Sequence, residues 1–345
     1  MRILHIMAGR GLGGAETYAT DVMLSLHERA VDQCAVVYAD APRTPELAQA
    51  GVRLACDVLS FRFRPVQRWR LKKLIEREKP DLIHCWMRRA ASLIPPWKAG
   101  PVIGWFGGYY DPQNFPYCTD FVGVTQGIVD HQISKGVSPQ HAFYVPTFPD
   151  VKDEVATDRA TLDTPAGAPA VLALSRLHQK KGLDTLLQAV ARLPGVYVWL
   201  AGEGPLRGKL EKLVRKLKLE DRVRFLGWRT DRGALLRAAD VCVLPSRYEP
   251  FGTVLLEAWA AGTPLVAARS AGPAAYVTDE KNGLLVPIDD VQALAQALDR
   301  ALKDEALRRR MIAEGFNTYS LSFTRKAVTD KMIGLYEKLI ADHRN

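Results

Sequence analysis

A chain of 345 residues is long enough for about two domains. Hydrophobic residues at 48% and charged residues at 25% match an ordinary soluble globular protein and exclude bulk disorder. The formal net charge of +9 is a mild basic excess, compatible with an anionic small molecule, nucleic acid or an acidic membrane surface.

The opening apolar run, 3–8, is too short for the core of a signal peptide, and no later run reaches the ~20 residues that cross a bilayer. Short apolar runs follow at 2–8, 33–39, 81–85, 102–106 and 121–125, and a second series at 170–175, 196–201, 223–226, 241–245 and 264–268. Most are continuously apolar, as expected of parallel strands covered on both faces. Helical spacing lies between them, at 15–27, 67–79, 183–193, 206–217 and 291–303. Regular strand–helix alternation predicts α/β architecture with two Rossmann-like domains. Between the two series, 150–169 is polar, holds Pro and Gly, and reads as a linker. The boundaries expected are 1–160, 161–322 and a terminal helix in 323–345. Val328, Met332, Leu335, Tyr336 and Leu339 give that helix one apolar stripe, which needs a surface to dock on, the N-terminal domain being the natural candidate. Five cysteines (Cys34, Cys56, Cys85, Cys118, Cys242), odd in number and without a CxxC, fit reduced thiols of a cytoplasmic protein better than a zinc site or a disulfide framework.

Two loops carry chemistry. Gly9, Gly11, Gly13 and Gly14 follow the first strand and precede a helix, a close backbone approach at a helix N-terminus that suits phosphate. The spacing satisfies GxGxxG, and Asp40 could hold a ribose, so an NAD-dependent oxidoreductase is one reading. Glu16 at the helix start also complements the helix dipole. The stronger signal spans 246–264, where Glu249 and Glu257 are eight residues apart. On one continuous helix they would diverge by about 80°. Pro250 keeps Glu249 in the loop, however, so both carboxylates can face one site beyond the strand end. Carboxylates accept hydrogen bonds from vicinal hydroxyls and helix N-terminal amides hold phosphate, which together describe a nucleotide sugar.

Glu249 and Glu257 within EPFG…LEAWAAGTP resemble the signature of family 4 of the retaining glycosyltransferases, which has the GT-B fold of two Rossmann-like domains facing a central cleft. GGAE at 13–16, Arg176 with Lys181-Gly182, GEGP at 202–205 and FLG at 225–227 resemble the family's other segments in order, and the terminal helix resembles the one that returns to the N-terminal domain. The resemblance implies an acceptor-side first domain and a donor-binding second one. It implies that Arg176 and Lys181 bind the donor diphosphate, Glu257 the ribose and Glu249 the transferred sugar. Backbone amides at Phe251, Gly252 and Thr253 would assist, with Gly204 and Arg229 at the nucleotide and Gly13 and Gly14 lining the other wall. It also implies no cofactor and no divalent metal, the UDP- or GDP-linked donor being a substrate. Many members carry His-Gly after the strand at 102–106; here the segment reads GWFGGYYD, without histidine. Tyr109, Tyr110 and Asp111 are then the candidates for shaping the acceptor or sugar site, with Glu16. Strings of this kind are similar to those in bacterial lipopolysaccharide and surface-polysaccharide transferases, implying a saccharide or lipid-linked acceptor on the cytoplasmic face of the inner membrane.

Bland readings compete at several positions. Arg176 and Lys181 could be solvated charges, and His5 and His84 read as structural, as do Trp228 and Trp259. From 53 to 98, twelve Lys/Arg stand against four Asp/Glu, with Phe61, Phe63 and Trp69 interleaved. This is either the solvated face of a helix that packs Val66, Trp69 and Leu74 inward, or a contact for an anionic membrane surface. No nucleic-acid-binding module accompanies the charge, and nucleic acid is not an expected partner. A GT-B phosphorylase or epimerase and a non-catalytic binding protein remain as alternatives to the transferase.

Overall fold

The computed structural model describes residues 1–344 apart from Leu12 and Arg62; Leu12 of the glycine-rich turn, Arg62 of the basic stretch and Asn345 lie outside the described residues. The chain divides into two compact units, Met1–Phe148 with Arg325–Asn345, and Pro149–Thr324.

In the first unit β1 (Arg2–Met7), β2 (Asp32–Val36), β3 (Arg53–Leu54), β4 (Leu82–Trp86), β5 (Val102–Phe106), β6 (Asp120–Gly123) and β7 (Ala142–Tyr144) form one parallel sheet. Its order is β3-β2-β1-β4-β5-β6-β7. The middle strands are buried on both faces, which is why they read as unbroken apolar runs. The helices of this part are α1 (Gly14–Glu28), α2 (Thr44–Gln49), α3 (Arg64–Glu78), α4 (Met87–Ala91) and α5 (Gln126–Ser134).

The second unit repeats the plan with β8 (Ala170–Leu174), β9 (Tyr197–Ala201), β10 (Val223–Gly227), β11 (Val241–Leu244), β12 (Leu265–Ala268) and β13 (Leu284–Val286), ordered β10-β9-β8-β11-β12-β13. Its helices are α6 (Leu183–Val190), α7 (Arg207–Lys216), α8 (Arg232–Ala238), α9 (Thr253–Ala261), α10 (Ala271–Tyr276), α11 (Val291–Lys303) and α12 (Glu305–Ser322). Strand order reverses between β1 and β4 in one sheet and between β8 and β11 in the other. Loops leaving such a pair diverge and open a crevice at the strands' C-terminal ends.

Four sequence expectations are adjusted. The stretch from 150 is no free linker but part of the second unit. Thr157 N–H donates to the Ala234 carbonyl (3.1 Å), the Glu154 carboxylate accepts from Ala234 N–H (3.3 Å), and Arg237 binds the Lys152 carbonyl (3.1 Å) and Asp153 (2.9 Å). Glu154 thus takes one of the first-turn amides of α8, which lack partners within the helix, and the other contacts bind the segment along that helix. The last helix, α13 (Arg325–Arg344), starts later than expected because Phe323 is drawn against Tyr276 (ring centroids 5.3 Å) at the end of α12. The stripe Val328, Met332, Leu335, Tyr336, Leu339 is buried. Ser25 Oγ of α1 meets Thr329 Oγ1 at 2.7 Å and Arg325 pairs with Glu28 at 2.8 Å. In α3 the inward stripe is Gln67, Leu71, Leu74 and Ile75, while Trp69 stands 60% exposed and Val66 half-buried. Gln67 is tied inward by donating to the Phe61 carbonyl (2.5 Å), and Trp69, two residues on, lies about 200° around the helix. Trp228 is likewise exposed, whereas Trp259 is buried with its indole N–H on the Asn282 carbonyl (2.7 Å).

Candidate active site

The crevice between β8 and β11 gathers most of the expected donor residues. After β8 the chain passes Ser175 and the exposed Arg176 into a short turn, Gln179–Lys181, and Gly182 with φ +61° opens α6. A Cβ on Gly182 would lie 2.0 Å from the Pro245 carbonyl oxygen, so glycine alone lets this turn press on the end of β11. On the other side, a Cβ at Gly202 would lie 2.0 Å from the Ser175 oxygen and one at Gly204 2.5 Å from the Leu177 oxygen. Gly204 is therefore required by close packing behind Arg176. Gly182→Ala is expected to cost about 2–5 kcal/mol, from strain and overpacking together. Gly167→Ala, whose Cβ meets nothing within 4 Å, is expected to be near neutral. Equal denaturation midpoints for the two variants would refute this account of the turn.

The loop after β11 is fixed from three directions. Arg247 grips Asp184 with both terminal nitrogens (2.9 and 2.8 Å), Asp289 through Nε (2.9 Å) and the Gln179 carbonyl (2.8 Å). Tyr248 N–H donates to the Lys180 carbonyl (3.2 Å) and Gly272 N–H to the Glu249 carbonyl (2.7 Å). The Phe251 ring is buried edge-on to Tyr276 (5.3 Å), so only its backbone is available to a ligand. Held this way, the Glu249 carboxylate lies 2.5 Å from Lys181 Nζ and 3.4 Å from Ser246 Oγ. Gly252, at φ +90°, turns the chain into α9, which begins at Thr253.

One turn into α9, Glu257 is 1% exposed. Its Oε1 accepts from Arg232 Nη1 (2.5 Å), while Oε2 has no partner among the described residues. Burial pushes its carboxyl pKa up and Arg232 draws it back toward the charged form. Ser175 Oγ and Ser270 Oγ are also buried and have no partner among the described residues. A buried acceptor left unmade costs about 1–3 kcal/mol, which a ligand hydroxyl would recover. Arg229 is held by Asp231 through two bonds (2.8 and 2.5 Å), an embrace that also lowers the Asp231 pKa. Arg176 is paired with no described residue, leaving its guanidinium available. Arg232, Ser175 and Ser270 were not found from sequence; Arg232 and Glu257 sit on different helices, and no spacing rule links them.

In the first unit the Glu16 carboxylate folds back over the glycine-rich turn: a Cβ on Gly9 or Gly13 would fall 2.5 Å from its oxygens. Gly14 faces open space at the N-terminus of α1. Arg10 lies 4.1 Å over the Tyr38 ring and 3.4 Å from Asp40, so the acid that a dinucleotide would need already faces an arginine. Tyr109 is partly exposed, edge-on to His131 (5.4 Å), and His131 Nε2 is 3.1 Å from the Tyr110 carbonyl. Tyr110 borders the stacked pair Phe106–Phe115, and partial burial and the nearby Glu16 charge raise its hydroxyl pKa. Asp111 accepts from Gln113 N–H (2.9 Å), a local turn cap. His131, in α5, is a neighbour of this loop that sequence reading did not connect to it.

Two family descriptions match the chain: "Glycosyl transferases group 1" over residues 154–318 and "Glycosyl transferase 4-like domain" over 13–105. The chain is 37% identical to the lipopolysaccharide core biosynthesis glycosyltransferase LpsE of Rhizobium meliloti (strain 1021), covering 97% of this chain and 98% of that one. It is 33% identical to LpsD of the same organism over 99% of both. Among solved structures it is similar to Anabaena HepE in complex with UDP-glucose, with TM-score 0.82 and 21% identity over 98% of this chain and 100% of the other.

Proposed function

Since the chain belongs to the glycosyltransferases of group 1, with their two-sheet GT-B fold, we propose that it moves a sugar, with retention, from a UDP- or GDP-linked donor to a saccharide or lipid-linked acceptor of the lipopolysaccharide core. The observation that carries this reading is the β8/β11 crevice, where the free Arg176 guanidinium, Lys181 and the unpartnered Glu257 Oε2 offer two cations and a buried acceptor within one unit. Arg176 and Lys181 bind the diphosphate; Glu257, oriented by Arg232, takes a ribose hydroxyl; Glu249 takes hydroxyls of the transferred sugar. Amides of Phe251, Gly252 and Thr253 at the start of α9 complete the sugar and phosphate contacts, with Gly204 behind the diphosphate and Arg229 near the base. Gly13, Gly14 and Glu16, with Tyr109 and Asp111, serve the acceptor or sugar side.

The chemistry follows from those groups. The bond from the anomeric carbon to the diphosphate oxygen breaks as the acceptor hydroxyl bonds to the same face. The hydroxyl proton passes to the leaving phosphate, so no protein base is needed. Charge grows on the leaving oxygens, and two fixed cations stabilise it more in the transition state than in the ground state. The similarity to LpsE and LpsD supports the core-oligosaccharide setting, and the cytoplasmic face of the inner membrane is the site of action that goes with this reading.

Thermal unfolding with UDP, GDP or NAD, each with EDTA, tests this reading. A ligand at about 100 times its Kd adds roughly 2.7 kcal/mol, a shift of a few degrees. Stabilisation by one nucleoside diphosphate despite EDTA, lost in Arg176→Ala, is expected and names the base. Stabilisation by NAD alone would return the oxidoreductase reading, and a strict requirement for a divalent ion would remove the metal-free mechanism.

A further inference from the structure

The start of α3 and the residues leading into it carry side chains that sugar transfer does not use. Phe63 is 65% exposed, Trp69 60%, Phe61 50% and Tyr117 47%. The Arg70 guanidinium lies 4.2 Å over the Phe61 ring and that of Arg68 5.8 Å from the Tyr117 ring, so on each flank of Trp69 a cation lies against an exposed ring. Arg64 touches Ser92 Oγ, Arg68 the Ile94 carbonyl, and Arg70 the Asp57 carbonyl and Ser60 Oγ, all neutral groups. Among the described residues no carboxylate pairs with Arg64, Arg68, Arg70 or Lys72. The acids of this helix, Glu76 and Glu78, lie at its far end and are taken by Lys73, Arg77 and Arg53.

These hydrogen bonds tie α3 to neighbouring segments, but they leave the cations' charge unneutralised and the rings in water. Cations in the first turns of a helix oppose its dipole, four large rings left in water forgo burial, and the inward stripe of α3 is complete without Trp69. A merely solvated face would carry charge without rings. Rings that sit at headgroup depth, flanked by unpaired arginines that reach phosphate, are the composition of an interfacial surface. The local excess of eight positive charges over 53–98 supplies the matching sign. We propose that this face, centred on Phe61, Phe63, Arg64, Arg68, Trp69 and Tyr117, docks the protein on an anionic lipid bilayer. The proposal stands apart from the donor assignment, because lipid binding is read without turnover.

Co-sedimentation of the full chain with phosphatidylcholine vesicles, with and without phosphatidylglycerol, provides the test. Binding is expected only to the anionic vesicles, weakening as salt rises. Arg64→Gln and Arg68→Gln should each weaken it about fivefold. The double variant Phe63→Ser/Trp69→Ser should weaken it about tenfold or more at unchanged charge, with an unaltered melting temperature because both rings are exposed. On anionic vesicles the emission of the wild type should shift to the blue, and the shift should shrink in Trp69→Phe. Absence of binding, equal binding to phosphatidylcholine alone, or full binding by the double ring variant would each overturn the proposal. So would preferential binding of polyuridylate over vesicles, which would make the patch a nucleic-acid surface.

Discussion

Lys181→Ala is expected to lower kcat for sugar transfer by about 10²–10³-fold, the usual size of removing one preorganised donor from a site of developing charge. The Lys181 ammonium rests on Glu249 at 2.5 Å, both side chains partly buried, at 25% and 16% exposure. The pair holds the two side chains against each other. Screened by solvent at that exposure, it is worth no more than about 1 kcal/mol of stability, so the variant should melt within a few degrees of the wild type. A purely structural lysine would give the opposite pattern, a lowered melting temperature with kcat retained. If Lys181 bound the phosphates equally in ground and transition states, KM would rise with kcat unchanged. Because Glu249 loses its partner when Lys181 is removed, the double variant Lys181→Ala/Glu249→Ala should be far less than multiplicative. Lys181→Arg should not restore full activity, since a planar guanidinium cannot take the position of a compact ammonium on the same turn. Activity within about threefold of wild type in Lys181→Ala would remove the lysine from the reaction.

The alternation of strand and helix was legible because the central strands of both sheets are buried on both faces. Their apolar runs therefore needed no periodicity analysis to be seen. Three short strands escaped: β3 (Arg53–Leu54), β7 (Ala142–Tyr144) and β13 (Leu284–Val286). Each lies at a sheet edge and has two or three residues, so none leaves a run longer than chance. Strand order was not legible at all from local pattern. It depends on which strands pair, and the reversal between β8 and β11 that opens the crevice appears only once the sheet is assembled.

In the β8/β11 crevice, residues with a local signature were legible in sequence and those defined by a partner were not. Lys181-Gly182 and the loop from Ser246 to Gly252 carry glycine and proline at positions where the backbone must turn, and such turns leave a mark in sequence. Arg232 leaves none: it is one arginine among many until α8 brings it to Glu257. Arg247 is similar, its role appearing only when Asp184 and Asp289 arrive from two other loops. Trp69 failed for the converse reason. A tryptophan on a helix is expected inside, and the stripe of α3 is instead completed by Gln67, whose amide satisfies a backbone carbonyl.

Acidification should destabilise the first unit through two histidines buried in its sheet. His5 of β1 and His84 of β4 are fully buried, with ring centroids 5.7 Å apart. His5 Nδ1 accepts from the Trp86 indole N–H (3.2 Å), so its proton sits on Nε2, and a second proton would have to displace that bond. His84 Nδ1 meets the Tyr336 hydroxyl of α13 at 2.6 Å. Burial lowers the His5 pKa from 6.5 to about 3, and burial with His5 beside it lowers that of His84 well below 6.5. Both are neutral when folded but bind protons when unfolded, so the stability they allow is present above 6.5 and is lost as pH falls below it. Two such groups lower the unfolding free energy by about 2.7 kcal/mol between roughly pH 7.5 and pH 5.5. That is a large fraction of the 5–15 kcal/mol typical of a folded protein. His84→Phe should halve this loss, whatever it does to stability at neutral pH through the stranded Tyr336 hydroxyl. The decisive quantity is thus the pH slope of the urea midpoint. A slope unchanged by His84→Phe would mean that His84 is protonated inside the fold, and the neutral pair beneath α13 would have to be abandoned.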